Sequence, residues 1–293
     1  LDVFSYSQAE PTRADATVVL STATQPAFDV LGPFSKLPAR EIVPQPKQYY
    51  QALERVSYDW RVAELTSWQQ VAEEMARHRQ VLTVVNAKPD AMALIDALDP
   101  LVEDPPLHLS TNLCAAHRRA VLAEVLTRLA NDEPCHLVST QVVEAGVDID
   151  FPVVLRAMAP LDSIIQAAGR CNREGHLDRG QVIVFRPEDG HLPRGPYEAA
   201  TMLARGILDQ YGTAISTPEI TRRYFERLYD TLSLDEKKVK QKRASLDYIA
   251  TAEAFKLIED KQTSVIIHQY PRRDAPNKAN RLLDALVEYR ADP

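Results

Sequence analysis

Two arginines near the middle of the chain have the type and spacing suited to polyphosphate chemistry. Arg170 and Arg173 lie three residues apart, a spacing that places both side chains on one side of a helical turn. A guanidinium group donates hydrogen bonds in a fork that matches phosphate oxygens. The helix that must position them is predicted over Leu161–Gly169, because Asp162 and Ser163 suit a helix N-terminus and the apolar residues share one face.

A polar loop precedes this helix, between two segments with the composition of buried strands. The segments His136–Ser139 and Val153–Ala157 are short, apolar and rich in β-branched residues, as strands covered on both faces are. The first segment ends in Ser139 and Thr140, whose hydroxyls can hydrogen-bond a phosphate and so position a nucleic-acid strand without reading its sequence.

Four further residues of this loop carry chemistry or shape. Gly146 allows a tight turn. Asp148 suits a contact to a nucleotide ribose, the orientation of Arg170 or the stabilisation of the turn by its own side chain. Glu144 and Asp150 flank Asp148, so a metal site of three acids is a further alternative. The turn between these acids disfavours a metal site, because it can aim the carboxylates apart.

Strand-like and helix-like segments alternate along the chain and predict one parallel sheet. Strands are predicted at Val56–Trp60, Val81–Val85, Leu107–Leu109, His136–Ser139, Val153–Ala157 and Gln181–Phe185. Helices are predicted at Ser67–Arg79, Lys88–Leu98, Cys114–Leu129, Leu161–Gly169, Tyr197–Tyr211 and Pro218–Leu232. This order builds βαβ units, so the predicted fold class is α/β, with a parallel sheet flanked by helices.

Ligands of such sheets bind at the carboxyl ends of the strands, and several polar residues fall there. Asn86, Ser110 and the pair Ser139–Thr140 each follow a predicted strand directly. With Arg118 on the next helix, they are candidates for contacts to a phosphate backbone, Asn86, Ser110 and Arg118 being the weaker ones.

The amino-acid sequence of these loops resembles that of a known family. The spacing from Ser139 through Gly146-Val147-Asp148, followed by Gln166-x-x-Gly169-Arg170-x-x-Arg173, resembles motifs V and VI of superfamily two helicases. The stretch 138–175 looks like the helicase–nuclease of type I CRISPR systems, the effector recruited by Cascade. Residues 20–26 resemble motif III of that family, and residues 108–118 resemble another of its segments. The four matches occur in the family's order and cover most of 18–185.

The resemblance implies a role for each matching residue. Arg173 would be an arginine finger, with Arg170 and Gln166 beside it as catalytic residues, and Gly146, Asp148 and Gly169 would contact the nucleotide. Single-stranded DNA would be held by Ser139, Thr140, Asn86, Ser110 and Arg118. Coupling between the two ligands would fall to the motif III loop, Ser21, Thr22, Ala23 and Thr24. From the residues alone, two alternatives remain open. The loop Ser21–Thr24 is then an ordinary polar turn, and the two arginines form structural ion pairs, for example with Glu174.

Other parts of an ATP-driven motor have no counterpart in this sequence. None of the nine glycines is followed by lysine, so the chain has no P-loop, and it has no DExH or DExD tetrad. It also lacks a His-Asp dipeptide, so the family's nuclease centre is not represented. We therefore expect ATP with Mg to bind mainly to a first RecA-like domain that is missing or supplied separately, and this chain alone to be inactive.

The resemblance also suggests a domain plan for a RecA-like fold. Residues 1–30 are predicted to end a first RecA-like domain, and 31–64 to be a linker, because prolines at 33, 38, 44 and 46 oppose helix and central strand. Residues 65–215 are predicted to form the second RecA-like domain. Residues 216–293 are predicted to be a helical linker and the start of a C-terminal accessory region.

Composition restricts the class of protein further. Hydrophobic residues make up 45% and charged residues 26%, as in globular proteins, and no apolar run approaches the roughly 20 residues of a membrane span. The three cysteines lack metal-site spacing, which favours a reducing, cytoplasmic location. A net charge of −7 opposes a DNA-coating protein but allows a local basic groove. The basic run Asp235–Arg243 is either a DNA-contacting arm or a solvated helix face.

Two alternatives to a CRISPR helicase remain open. One is a non-catalytic module that docks on a CRISPR surveillance complex and keeps the motifs for folding. The other is an RNA helicase or restriction translocase of the same superfamily, which shares the motifs but is less consistent with the extended text of 138–175.

Overall fold

The structure is a computed structural model that describes residues 22, 24, 26–32, 35, 42–43, 48–49, 53–144, 146–212, 217–232, 235 and 237–255. The sequence also predicts a strand at Thr17–Leu20 and the beginning of a helix at Asn280–Tyr289, and both lie outside these residues. Ser21 and Ala23 of the predicted coupling loop also lie outside them.

The described strands form one all-parallel sheet, which confirms the predicted fold class. They are β1 (Val56–Thr66), β2 (Gln80–Val84), β3 (Leu107–Leu109), β4 (Cys135–Ser139), β5 (Val153–Ala157) and β6 (Gly180–Pro187). Their order across the sheet is β1-β6-β5-β2-β4-β3. Residues of β2, β4 and β5 are buried almost without exception, because helices cover both faces.

Helices pack on both faces of this sheet. They are α1 (Trp68–Ala76), α2 (Lys88–Leu98), α3 (Ala115–Ala130), α4 (Leu161–Ala168), α5 (Pro196–Tyr211) and α6 (Pro218–Thr231). The strands supply alternate residues to two apolar clusters, one shared with α1 and α2 and the other with α3 to α6. For example, Val81 of β2 packs with α1 and α2, whereas its neighbour Leu82 packs in the other cluster.

The structure corrects the predicted linker 31–64. Strand β1 begins at Val56 and extends to Thr66, and its residues pair with β6 from Val56↔Gly180 onward. Helix α6, which was assigned to a helical linker, contributes Tyr224 and Phe225 to the core of the sheet domain. Because β1 pairs within the sheet and these aromatic residues of α6 pack on it, the domain extends beyond both predicted boundaries.

The described residues 237–255 belong to a second compact unit. Its described part contains two short helices, α7 (Val239–Ala244) and α8 (Tyr248–Ala254), and α7 includes the end of the basic run. None of the helices in the described ranges is long and apolar enough to cross a membrane.

Candidate functional site

The polar residues that follow β2, β3 and β4 meet at the carboxyl edge of the sheet, but three of their side chains point inward. Ser110 and Ser139 are fully buried, and Asn86 is 5% exposed. Ser139 Oγ donates to the carbonyl of Leu109 (3.0 Å), and Ser110 Oγ accepts from the amide of Asn112 (3.3 Å). The structure therefore corrects the expectation that Ser110 and Ser139 contact DNA, and it gives Asn86 Nδ2 a partner within the protein, the carbonyl of Met158 at 2.9 Å. They instead satisfy buried groups at the strand ends.

An open cavity of about 480 Å³ lies at the same edge and contains groups suited to an anion. Its lining is Asn86, Ala87, Lys88, Thr111, Thr140, Gln141 and Val142. Lys88 stands in the first turn of α2, where backbone N–H groups also attract negative charge. Lys88 Nζ donates to Asn112 Oδ1, which holds the ammonium at the rim.

Sequence reasoning missed Lys88. A lysine two residues after Asn86, at the start of a helix that directly follows a strand, was the available signal. Thr140 was predicted, and it lines this cavity beside Gln141, with 4% of the residue exposed.

The loop after β4 carries the chain from the carboxyl edge of the sheet to its amino edge. It begins with a 3-10 turn, Gln141–Val143, and it bends at Gly146, whose φ of +71° favours glycine. Helix α4 makes the same crossing, since it starts after β5 and ends before β6. The loop around Asp148 and the two arginines therefore share the amino edge, away from the cavity at Thr140.

Arg170 does not face the solvent beside Arg173. It is only 7% exposed, and its Nε and Nη2 donate to the carbonyls of Val143 and Glu144, both at 2.8 Å. Burial lowers the pKa of Arg170. The prediction that both guanidinium groups point outward is thus wrong for Arg170, whose hydrogen bonds fix the backbone of the loop after β4.

Arg173 is exposed and sits on a loop whose backbone is fixed from two sides. Its amide donates to Asp150 Oδ1 (2.7 Å), and its carbonyl accepts from Arg55 Nη1. Its guanidinium Nε lies 2.9 Å from Asp148 Oδ1, with 41% of the arginine side chain and 78% of the aspartate side chain exposed. Asp148 therefore orients Arg173 and not, as expected, Arg170.

The three acids of the loop do not converge on a common point. Glu144 contacts Arg156 and Ser163, Asp148 contacts Arg173, and Asp150 accepts two backbone amides. Burial raises the pKa of Glu144, although the charge of Arg156 opposes this shift. In the part of the chain that is described, no group of acids, histidines and cysteines has the arrangement of a metal site.

The remaining predicted residues are spread over the same domain. Gln166 is half-buried on α4, and Gly169 closes this helix, where a side chain would approach the carbonyl of Gln166 to 3.3 Å. Arg118 lies half-buried on α3, and its buried Nε has no hydrogen-bond partner among the described residues. Of the coupling loop, Thr22 Oγ1 accepts from the amide of Thr24 (3.2 Å), which is buried.

A buried polar network behind the loop was missed from the sequence. Arg156 of β5 is completely buried, and its guanidinium contacts Asn86, Glu144 and the hydroxyl of Tyr197. An arginine within the otherwise apolar strand Val153–Ala157 was the only local signal for it.

Comparison with known proteins agrees with the architecture of the domain. Residues 77–176 match the family model described as CRISPR-associated nuclease/helicase Cas3, C-terminal. A CRISPR-associated nuclease/helicase Cas3 from Haloferax volcanii is 50% identical over 74 residues, which are 24% of this chain and 8% of that protein. The Cas3 of Methanothermobacter thermautotrophicus is 28% identical over 182 residues, 58% of this chain and 22% of the relative.

A solved structure shows the same fold. The crystal structure of T. fusca Cas3-ATP superposes with a TM-score of 0.51 at 20% identity, over 69% of this chain and 27% of that one. The chain spans less than a quarter of the length of the two curated relatives.

Proposed function

We propose that this chain, whose residues 77–176 match the family model of CRISPR-associated nuclease/helicase Cas3, C-terminal, forms the second RecA-like half of an ATP-driven motor. The motor would move along single-stranded DNA during CRISPR interference and so serve antiviral defence. The first RecA-like half, a nuclease part and a Cascade-type complex would be its partners, in the cytoplasm. The curated relatives are far longer than this chain, so these partners are inferred from the resemblance.

The exposed guanidinium of Arg173 is the observation that carries the nucleotide part of the proposal. Asp150 and Arg55 fix the backbone on both sides of this residue, so the side chain projects from a rigid base. Its ion pair with Asp148 is exposed, and such pairs contribute only about 0–1 kcal/mol. A triphosphate presented by another domain could therefore replace Asp148 as the partner of Arg173.

ATP with Mg, bound mainly by the first half, would supply the phosphoanhydride bond whose hydrolysis drives movement. The residues of this chain that fit such a ligand are Arg173 for the phosphates and Asp148 for the ribose hydroxyls. Arg170 acts indirectly, because its two hydrogen bonds hold the carbonyls of Val143 and Glu144 and thereby the loop that carries Asp148.

The cavity at the carboxyl edge would receive one phosphate of the DNA backbone. The hydroxyl of Thr140, the ammonium of Lys88 and the N-terminus of α2 provide three kinds of donor there. Such contacts hold a strand without reading bases, which suits a translocating protein.

The alternative is a non-catalytic module that docks on a CRISPR complex. The inward position of Arg170 and the existing partner of Arg173 favour it, because both arginines then have structural roles.

Reconstitution distinguishes the two functions. This chain is mixed with a separately produced first RecA-like domain that carries the P-loop and the Mg-binding carboxylate, and ATP hydrolysis is measured with and without oligo(dT). The motor predicts hydrolysis that requires both proteins and rises with oligo(dT). Binding between the two proteins without hydrolysis supports the docking module and contradicts the motor.

A further inference from the structure

The structure places one fully buried arginine between the two edges of the sheet that the proposed motor uses. Arg156 lies in β5, on the sheet face covered by α3 to α6, and it has 0% exposure. Its Nη1 donates to the carbonyl of Val84 (3.2 Å), to Asn86 Oδ1 (2.8 Å) and to the carbonyl of Ala157 (3.0 Å). One nitrogen thus contacts the carboxyl ends of both β2 and β5.

The second terminal nitrogen of Arg156 reaches the loop after β4 and helix α5. Nη2 donates to Glu144 Oε1 (3.1 Å) and to the hydroxyl of Tyr197 (3.0 Å). The other carboxylate oxygen of Glu144 accepts from Ser163 Oγ on α4 (3.2 Å). Arg156 therefore joins two strand ends, one loop and helix α5 through a single planar group, and Glu144 extends this network to α4.

The network continues toward both proposed ligand sites. On the carboxyl edge, the carbonyl of Asn86 accepts from Gln141 Nε2 (2.9 Å), and both residues line the cavity that contains Thr140. On the amino edge, the carbonyl of Glu144 accepts from Arg170 Nη2 (2.8 Å). Glu144 therefore touches Arg156 with its side chain and Arg170 with its backbone.

Stability alone does not account for this arrangement. A buried ion pair is often replaceable by apolar residues without loss of stability, because desolvation offsets the attraction of the two charges. Arg156 Nε is also buried without a hydrogen-bond partner among the described residues, which is unfavourable. Such a network gains its value from holding several elements in one arrangement.

We propose that Arg156 is a positioning residue that couples the cavity lined by Thr140 to the loop that carries Arg173. Movement of the turn at Gln141 when a strand binds is transmitted through Asn86, Arg156 and Glu144 to Arg170, which anchors the loop next to Arg173. The inference rests on the proposed motor function and adds the route by which DNA binding accelerates ATP hydrolysis.

The measurement is the ratio of ATPase rates with and without oligo(dT), made on this chain reconstituted with the first RecA-like domain. The main variant is E144Q/R156M, which removes both charges and so leaves neither buried and unpaired. The matched control is R61M/E74Q, which removes a partly exposed pair with the same 3.1 Å separation. A second variant, Tyr197→Phe, deletes only the hydroxyl that contacts Arg156 and Asn86.

We expect the ratio to fall at least tenfold in E144Q/R156M and at least threefold in Tyr197→Phe, and to stay within twofold in the control. A merely structural role changes both rates together and leaves the ratio unchanged. If E144Q/R156M folds, as judged by its thermal transition, a ratio above one third of the parent overturns the coupling role.

If E144Q/R156M does not fold, the Tyr197→Phe variant provides the test. A ratio of ATPase rates in this variant equal to that of the parent protein overturns the coupling role. A parent protein without DNA-stimulated hydrolysis overturns the motor itself, and the coupling role with it. The parent therefore distinguishes a failure of the proposed function from a failure of this inference alone.

Discussion

Arg173 Nε lies 2.9 Å from Asp148 Oδ1, so the outward arginine of the second loop is paired with the acid of the first. This pair differs from the neighbouring contact of Arg170, which is buried and bonded to backbone carbonyls. The sequence pattern does not distinguish the two arginines, but the structure gives them different contacts and therefore different roles. Substituting each one should change a different property of the protein.

Arg173→Ala should abolish DNA-stimulated ATP hydrolysis in the chain reconstituted with the first RecA-like domain but leave DNA binding intact. Arginine fingers contribute roughly 10³–10⁵ in rate, so we expect at least a hundredfold loss of kcat. Arg179→Ala is the control, since Arg179 is 54% exposed and pairs with Glu54. Turnover above a tenth of the parent value in Arg173→Ala would contradict the finger.

Arg170→Ala should instead lower the stability of the folded chain. The substitution leaves the carbonyls of Val143 and Glu144 without their donor, which should cost about 3 kcal/mol in total. Arg173→Ala removes only an exposed pair and should cost at most about 1 kcal/mol. Urea unfolding of both variants tests this contrast, and equal losses would show that the burial of Arg170 is not what matters.

Gly146→Val should destabilise the chain through the backbone alone. Gly146 has a φ of +71°, and an added Cβ would meet nothing within 4 Å, so the cost of about 2 kcal/mol is conformational strain. Gly206→Ala is the opposite control. Gly206 lies within α5 in similarly open space, and alanine should stabilise that helix by about 0.5–1 kcal/mol. Thermal unfolding should move the two variants in opposite directions.

Lys88→Ala should weaken binding of single-stranded DNA and reduce its dependence on salt. Loss of one phosphate contact lowers the slope of log K against log salt concentration by about 0.7 for single strands. Arg79→Ala provides a control cation at the amino edge, where Arg79 contacts Asp132. An unchanged slope for Lys88→Ala, measured by fluorescence anisotropy between 50 and 200 mM salt, would remove Lys88 from the DNA path.

Stability should fall as pH decreases below the ordinary pKa of histidine. Burial lowers the pKa of His136, whose Nε2 contacts the carbonyl of His78 at 2.9 Å. The unfolded chain therefore binds this proton more readily, and stability is lost as pH falls from about 6.5 toward the depressed pKa of the folded state. His136→Gln should flatten the dependence of Tm on pH between 7.5 and 5. An unchanged slope would show that His136 does not contribute.

Local pattern was sufficient for most of the secondary structure. The helix Lys88–Leu98 and the strands Leu107–Leu109 and Val153–Ala157 have the predicted bounds, because apolar periodicity and strand-end residues act over a few positions. The prediction failed at β1, which continues to Thr66. The extra length follows from pairing with β6, more than a hundred residues later in the chain.

The sequence by itself determined the fold class, the order of the strands along the chain and the two loops that could bind phosphate. Only the tertiary structure decided which way their side chains point. The three-residue spacing of Arg170 and Arg173 promised one shared face, but the helix ends at Ala168 and Asn172 has a φ of +46°, so helical geometry no longer relates the two arginines. The partners of Arg156 come from positions as distant as Asn86 and Tyr197, and a contact between such residues exists only once the sheet and its helices have packed.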